Sequence, residues 1–298
     1  PYILLDVKVK NLLPREQQGA VVVGQSLRPV DVSRSVDQDG LLGAAIDAPV
    51  FGKPTTHAWL CDAAAAEGVT AHSASLTIPV AKAPAAAAGG TDPDGRTVIP
   101  TIWADAASGL NWEFTLGPRG EASRTFAYVG WVPDAILDVK SQPYHFKYVD
   151  LFLDLFDVAR YAFDRRAEID QKVALFESTV YEASAPQELK DFLAFAFQSW
   201  VQNTFYCADP EGKDWFSVWE GCCKFHSTVD VEYNVAPLYF EYWPELMKLT
   251  IAQWTGYIRG GVLAHDMGMG LEANWMKYPH EMEVEENTNF VLLLHRYL

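Results

Sequence analysis

Apolar and polar residues alternate in short runs along the first half of the chain and recur at helical spacing along the second. Tyr2 to Val9, Ala20 to Val23, Ser75 to Pro79 and Thr97 to Ile102 are rich in Val, Ile, Thr and aromatic residues and are separated by turn signals. That pattern predicts β-strands. Asp92-Pro93-Asp94-Gly95 predicts a turn, because Pro presets φ and Gly accepts the positive φ that closes it, and Ala83 to Gly90 before it reads as a surface loop. Trp112 to Leu116 and Thr125 to Val132, joined by Gly117-Pro118-Arg119-Gly120, predict a hairpin that ends the β region.

Beyond about residue 140 the period changes. Val149, Leu151, Leu153, Leu155, Phe156, Ala159, Tyr161 and Ala162 fit a helical face within Tyr144 to Arg166. Further helices are expected over Ala167 to Tyr181, Pro186 to Tyr206, Asp230 to Tyr242, Pro244 to Tyr257 and Met282 to the end, with Pro186 and Pro244 suiting helix starts. The chain therefore divides into a β-rich domain over 1–140 and a helical domain over 141–298. Two long stretches between helices, Cys207 to Phe225 and Gly260 to Pro279, are expected as loops that converge at a site mouth.

Composition narrows the partners. The chain has 298 residues, 49% hydrophobic and 21% charged, enough for one large core or two smaller ones. Its 23 basic and 39 acidic residues, net -16, argue against nucleic acid and anionic membrane surfaces, whose binding depends on neutralising phosphates. A neutral sugar remains compatible. No apolar run approaches the ~18 residues of a membrane span. Localisation stays open between cytoplasm and secretion, since Pro1 to Lys10 reads as a strand and a leader could have been removed. Cys61, Cys207, Cys222 and Cys223 have no zinc-type spacing and read as reduced or packed thiols.

The residues that could carry chemistry lie between the helices. Glu220 is an acidic residue in an aromatic-rich loop with Trp215, Phe216 and Trp219; its plainer reading is an exposed loop glutamate. Thr228 or Ser227 suits the N-cap of the next helix. His265-Asp266 precedes Gly268 and Gly270, and such a pair is often structural. Trp215, Trp219 and Trp275 could stack on sugar faces, whereas Trp200 and Trp254 fall inside helices and are expected in the core. Phe225 and His226 could line a pocket or merely pack. Glu281, Glu283, Glu285 and Glu286 open a helix, where carboxylates complement the dipole; a calcium site there is the lesser reading, and no cofactor is otherwise implied.

Taken in order, Glu220-Gly221, Thr228-Val229-Asp230, Trp243-Pro244 and His265-Asp266 resemble the motifs of glycoside hydrolase families 52 and 116, β-xylosidases and β-glucosidases or glucosylceramidases of the six-hairpin clan. The stretches "STVDVEYNVAPLYF", "AHDMG" and "MEVEENTNF" are also similar to the central helical domain of glutaminase A-like proteins. The resemblance implies an N-terminal β-sandwich, incomplete here, followed by the first part of an (α/α)6 barrel with a linker helix. It implies retaining hydrolysis of a neutral β-glycoside with Glu220 as nucleophile, Thr228, Asp230, His265, Asp266, Trp219 and Trp215 binding substrate, and the general acid outside this chain. A homo-oligomer or a partner chain completing the barrel is the assembly it suggests. The rival readings are a glutaminase A-like amidohydrolase and a non-catalytic carbohydrate-binding or assembly subunit.

Overall fold

In a computed structural model, residues 2–27, 31–72, 107–274 and 282–298 are described, and they form two compact units. The first comprises Pro1–Trp131 and Phe152–Ala167, the second Val132–Leu151 and Glu168–Leu298. The expected strands Ser75 to Pro79 and Thr97 to Ile102, the turn at 92–95, the loop at 83–90, Trp275 and Glu281 lie outside the described residues.

The first unit contains β1 (Tyr2–Lys10), β2 (Gln17–Ser26), β3 (Val32–Gln38), β4 (Leu41–Asp47), β5 (Thr56–Asp62), β6 (Val69–His72), β7 (Ala107–Leu116) and β8 (Glu121–Trp131), with one helix, α1 (Leu155–Asp164). Among the described residues β1-β8-β5-β4-β3 form one antiparallel sheet and β2-β7-β6 another. Strand alternation sends successive side chains to opposite faces. Phe126 and Cys61 pack with Val23, Val69, Leu110 and Trp112 of the smaller sheet. Their neighbours Ala127, Ala58 and Leu60 pack on the other face with Leu155, Phe156, Val158 and Ala159 of α1. Asp154 starts that helix by accepting from the Phe156 and Asp157 backbone N–H groups, both at 2.8 Å. The segments read as one hairpin across Gly117 to Gly120 are both strands, but β7 pairs with β2 and β6 whereas β8 pairs with β1 and β5. The turn hands the chain from one sheet to the other.

The second unit contains β9 (Leu137–Val139), β10 (Gln142–Phe146), β11 (Thr204–Ala208) and β12 (Asp214–Val218) in an antiparallel sheet of order β12-β11-β10-β9. Its helices are α2 (Arg166–Tyr181, most of which belongs here), α3 (Gln187–Gln202), α4 (Val229–Tyr242), α5 (Pro244–Trp254) and α6 (Glu283–Tyr297). The core gathers Phe205, Trp215, Phe216, Val229, Tyr239, Met247, Trp254, Tyr257 and Leu293 from sheet and helices together.

The expected β-sandwich followed by an (α/α)6 barrel is corrected here. The chain builds three antiparallel sheets and, among the described residues, six helices, and no barrel of helical hairpins is present. The reason is physical. A closed helical barrel needs an apolar inner face on each helix, yet α2 and α3 fully bury no residue, while the core of the second unit is built on a sheet. Two of that sheet's strands lie at Thr204–Ala208 and Asp214–Val218, where periodicity predicted the end of a helix and a loop. Tyr144 to Arg166 likewise is not one helix: it divides into β10, a 3-10 turn at Lys147–Asp150 and α1. Among the described residues no helix is long and apolar enough to cross a membrane.

Candidate functional site

Every candidate residue named from the sequence, apart from those undescribed, belongs to the second unit. After β12 the chain turns tightly over Glu220 to Phe225, with the Glu220 N–H donating to the Phe225 carbonyl at 3.1 Å and the Lys224 N–H to the Gly221 carbonyl at 3.2 Å. Gly221 takes φ +89°, a conformation glycine adopts without steric cost. Cys222 and Cys223 are exposed at the tip. Trp219 pairs with His226 across the base of the turn.

The second loop docks onto this one through its backbone. His226 donates to the Gly268 carbonyl at 2.8 Å, Met267 to the His226 carbonyl at 3.0 Å, and Gly270 to the Lys224 carbonyl at 3.0 Å. Gly268 sits at φ +133°, and a Cβ there would meet the Glu272 carbonyl oxygen at 2.3 Å, so only glycine fits the crossing. Beneath it His226 is fully buried, with Nδ1 2.9 Å from Ser217 Oγ and Nε2 2.9 Å from the Gly270 carbonyl. The pairing that satisfies both is Nε2–H donating to the carbonyl and Nδ1 accepting from Ser217, which itself accepts from Trp215 Nε1. Burial pushes the His226 pKa down to about 4, against smaller upward pulls from Gly270 and Asp266. His226 is thus a neutral structural tie between the loops.

Thr228 precedes the first residue of α4, where an N-cap was expected, but its side chain makes no cap hydrogen bond. Its hydroxyl instead donates to Glu220 Oε2 at 3.4 Å, which holds the half-buried Glu220 at the N-terminal end of α4. The next backbone N–H, of Val229, donates to the His265 carbonyl at 2.9 Å. One helix end therefore anchors both the Glu220 turn and the His265-Asp266 corner. His265 Nδ1 lies 3.0 Å from Asp266 Oδ2, and Asp266 Oδ1 accepts from the Gly268 N–H at 2.8 Å.

A third carboxylate, Glu286 of α6, completes the centre. His265 Nε2 is 4.0 Å from Glu286 Oε1, and ligand-type atoms of Asp230, His265 and Glu286 all lie within 4.8 Å of one another. Glu286 is only 1% exposed, and neither of its oxygens, nor Asp230 Oδ1, has a hydrogen-bond partner. Burial first, and the Asp230 charge second, push the Glu286 pKa up to about 7, with His265 opposing. For His265 burial works against the charged form, but the Asp266 hydrogen bond and the charges of Asp266, Glu286 and Asp230 outweigh it and raise the pKa.

The sequence reading placed Glu286 in an acidic run that merely opens a helix. The signal it passed over is spacing: Glu286, Phe290, Leu293 and Tyr297 follow one helical face, the one turned to the core, whereas Glu283 and Glu285 are exposed. Glu232 was also missed. It is fully buried, accepts from Tyr239 Oη at 2.8 Å, and burial raises its pKa to about 7. Of the expected sugar-stacking residues, Trp215 is 4% exposed within the core, and the half-buried Trp219 donates its indole N–H to the Gly270 carbonyl at 3.0 Å.

No protein-family model matches the chain, and no curated protein matches it.

Proposed function

We propose that this chain carries the hydrolytic site of a retaining β-glycosidase acting on a neutral β-glucoside or β-xyloside, with Glu220 as the nucleophile. The observation that supports the reading is the shared helix end: the Glu220 carboxylate, held by Thr228, and the His265-Asp266 corner, tied to Val229, meet at the N-terminus of α4. The Thr228 hydroxyl donates to the Glu220 carboxylate at the positive end of the α4 dipole. In the reaction Glu220 attacks the anomeric carbon, the glycosidic bond breaks, and a carboxylic acid about 5 to 5.5 Å away, expected from outside this chain, protonates the departing oxygen. Water then attacks the same carbon, gives its proton back to that acid, and frees Glu220. Asp230, His265 and Asp266 orient hydroxyls remote from the broken bond.

The test is turnover of aryl β-glucosides and β-xylosides. Glu220→Gln should lower it by about 10³-fold or more while the circular dichroism spectrum is kept, and Glu220→Gly should regain turnover with azide, which replaces the lost carboxylate as attacking group. Full activity in Glu220→Gln removes the residue from the mechanism. Sugar binding without turnover by the folded wild type moves the reading to a binding subunit.

One observation favours a second reading, an amidohydrolase acting on glutamine. Among the described residues of the unit Glu286, within "MEVEENTNF", is a buried carboxyl with neither oxygen hydrogen-bonded, whereas Glu220 is half-buried and held by Thr228. Ammonia release that survives Glu220→Gln and fails in Glu286→Gln, with no glycosidase activity, decides for it.

A further inference from the structure

Three side chains that arrive from separate parts of the sequence meet in one spot of the second unit. Asp230 stands in the first turn of α4, His265 in the docked loop, and Glu286 in the first turn of α6. Removing a carboxylate from water without a partner costs several kcal/mol, and Glu286 is buried with both oxygens unpaired while Asp230 leaves one buried oxygen unpaired beside it. Two carboxylates whose buried side-chain oxygens lack a close hydrogen bond thus converge on one imidazole, whose Nε2 stops 4.0 Å short of Glu286. A cation satisfies all of them at once.

The orientation of His265 supplies the second element. Its Nδ1 faces Asp266 Oδ2 at 3.0 Å, and Asp266 is itself fixed by the Gly268 N–H. A carboxylate that accepts the Nδ1 proton favours the tautomer with its lone pair on Nε2, and that partnership is the usual outer support of a metal-bound histidine. Nε2 is the atom turned toward Glu286. Ligand atoms bound at about 2.0 to 2.2 Å from one ion are at most about 4.4 Å apart, so a separation within 4.8 Å closes by small side-chain rotations.

We propose that Asp230, His265 and Glu286 bind one divalent transition-metal ion, with Asp266 as the positioning residue for His265. Two carboxylate oxygens and an imidazole suit Zn²⁺ or Mn²⁺; calcium and magnesium take oxygen ligands and are disfavoured by the imidazole. Three protein ligands leave at least one position open to water or to a substrate oxygen. The proposal stands whether the chain acts on glycosides or on amides, because it rests on these side chains alone.

The test uses the whole chain, stripped with chelator and titrated by calorimetry with Mn²⁺ and Zn²⁺, with Mn²⁺ binding followed also by electron paramagnetic resonance. All Zn²⁺ titrations carry Cys222→Ser and Cys223→Ser, so that the exposed thiol pair contributes nothing. One ion per chain is expected. Binding should disappear in His265→Ala and in Glu286→Gln, and in Asp230→Asn if either of those fails to fold. Asp266→Asn should keep the stoichiometry and weaken affinity by about 10- to 100-fold. Glu220→Gln should bind as the wild type does. Failure of the wild type to bind either ion, equal binding by the ligand variants, or a preference for Ca²⁺ overturns the proposal. Glycosidase and amidase assays are read separately, so loss of either activity leaves this result standing.

Discussion

Gly268 and His226 show how single residues hold the two loops in register. Gly268→Ala would set a methyl against the Glu272 carbonyl at a backbone angle that L-residues avoid. The expected cost is about 2 to 3 kcal/mol, measured by chemical denaturation, and the Asp266 carboxylate would lose the N–H that fixes it. His226 makes the same region sensitive to acid. Its pKa falls from 6.5 to about 4 on folding, so the folded chain binds fewer protons than the unfolded chain between those values. Its contribution is complete above pH 6.5 and is lost as pH falls toward 4, by about 3 kcal/mol in all. Denaturation midpoints between pH 7 and 4 should drop less steeply in His226→Gln than in wild type; parallel curves would show that His226 does not set the slope. Neither residue's role follows from sequence, because a buried histidine and a solvated one are written with the same letter. Glu286 was hidden in the same way, one carboxylate of a charged run turned inward by its phase on the helix.

At the scale of elements, period located most of the helices but missed the strands of the second unit, and it told little of burial. α2, α4, α5 and α6 fall close to the spans that periodicity and the prolines predict. β12 was read as loop because Trp215, Phe216 and Ser217 are buried consecutively, and a strand covered on both faces shows no alternation; β11, only five residues long, was absorbed into the end of the helix before it. The opposite mismatch occurs in α3, whose Leu189, Phe192, Leu193, Phe195 and Val201 are all exposed. Such a helix should bind a hydrophobic dye while the chain is still native. Phe192→Ser with Phe195→Ser should reduce that fluorescence and leave the thermal midpoint nearly unchanged, as surface substitutions do; a large drop in midpoint would mean that these rings are packed.

At the scale of the molecule, the expectation that failed was the architecture, and it failed for a reason separate from the local readings. Helical period fixes which residues share a face, but it does not say whether that face meets another helix or a sheet. Here Val229, Met247 and Leu293 meet Phe205, Trp215 and Phe216 of a sheet, and a barrel inferred from motif order does not form. Glu220, Thr228, Asp230, His265 and Asp266, picked out by their order along the chain, do gather at one end of α4.

The first unit is not written in one continuous stretch: after Trp131 the chain leaves it, and Phe152–Ala167 comes back to lay α1 over the five-stranded sheet. On the ribosome the outer surface formed by Ala58, Leu60, Ala127 and Val129 must therefore wait for Leu155 to Ala159, a delay of a few seconds at ~5 to 20 residues per second. For that interval the nascent sheet is greasy on the side its own helix will later shield, and that face stays open to whatever handles newborn chains until α1 arrives.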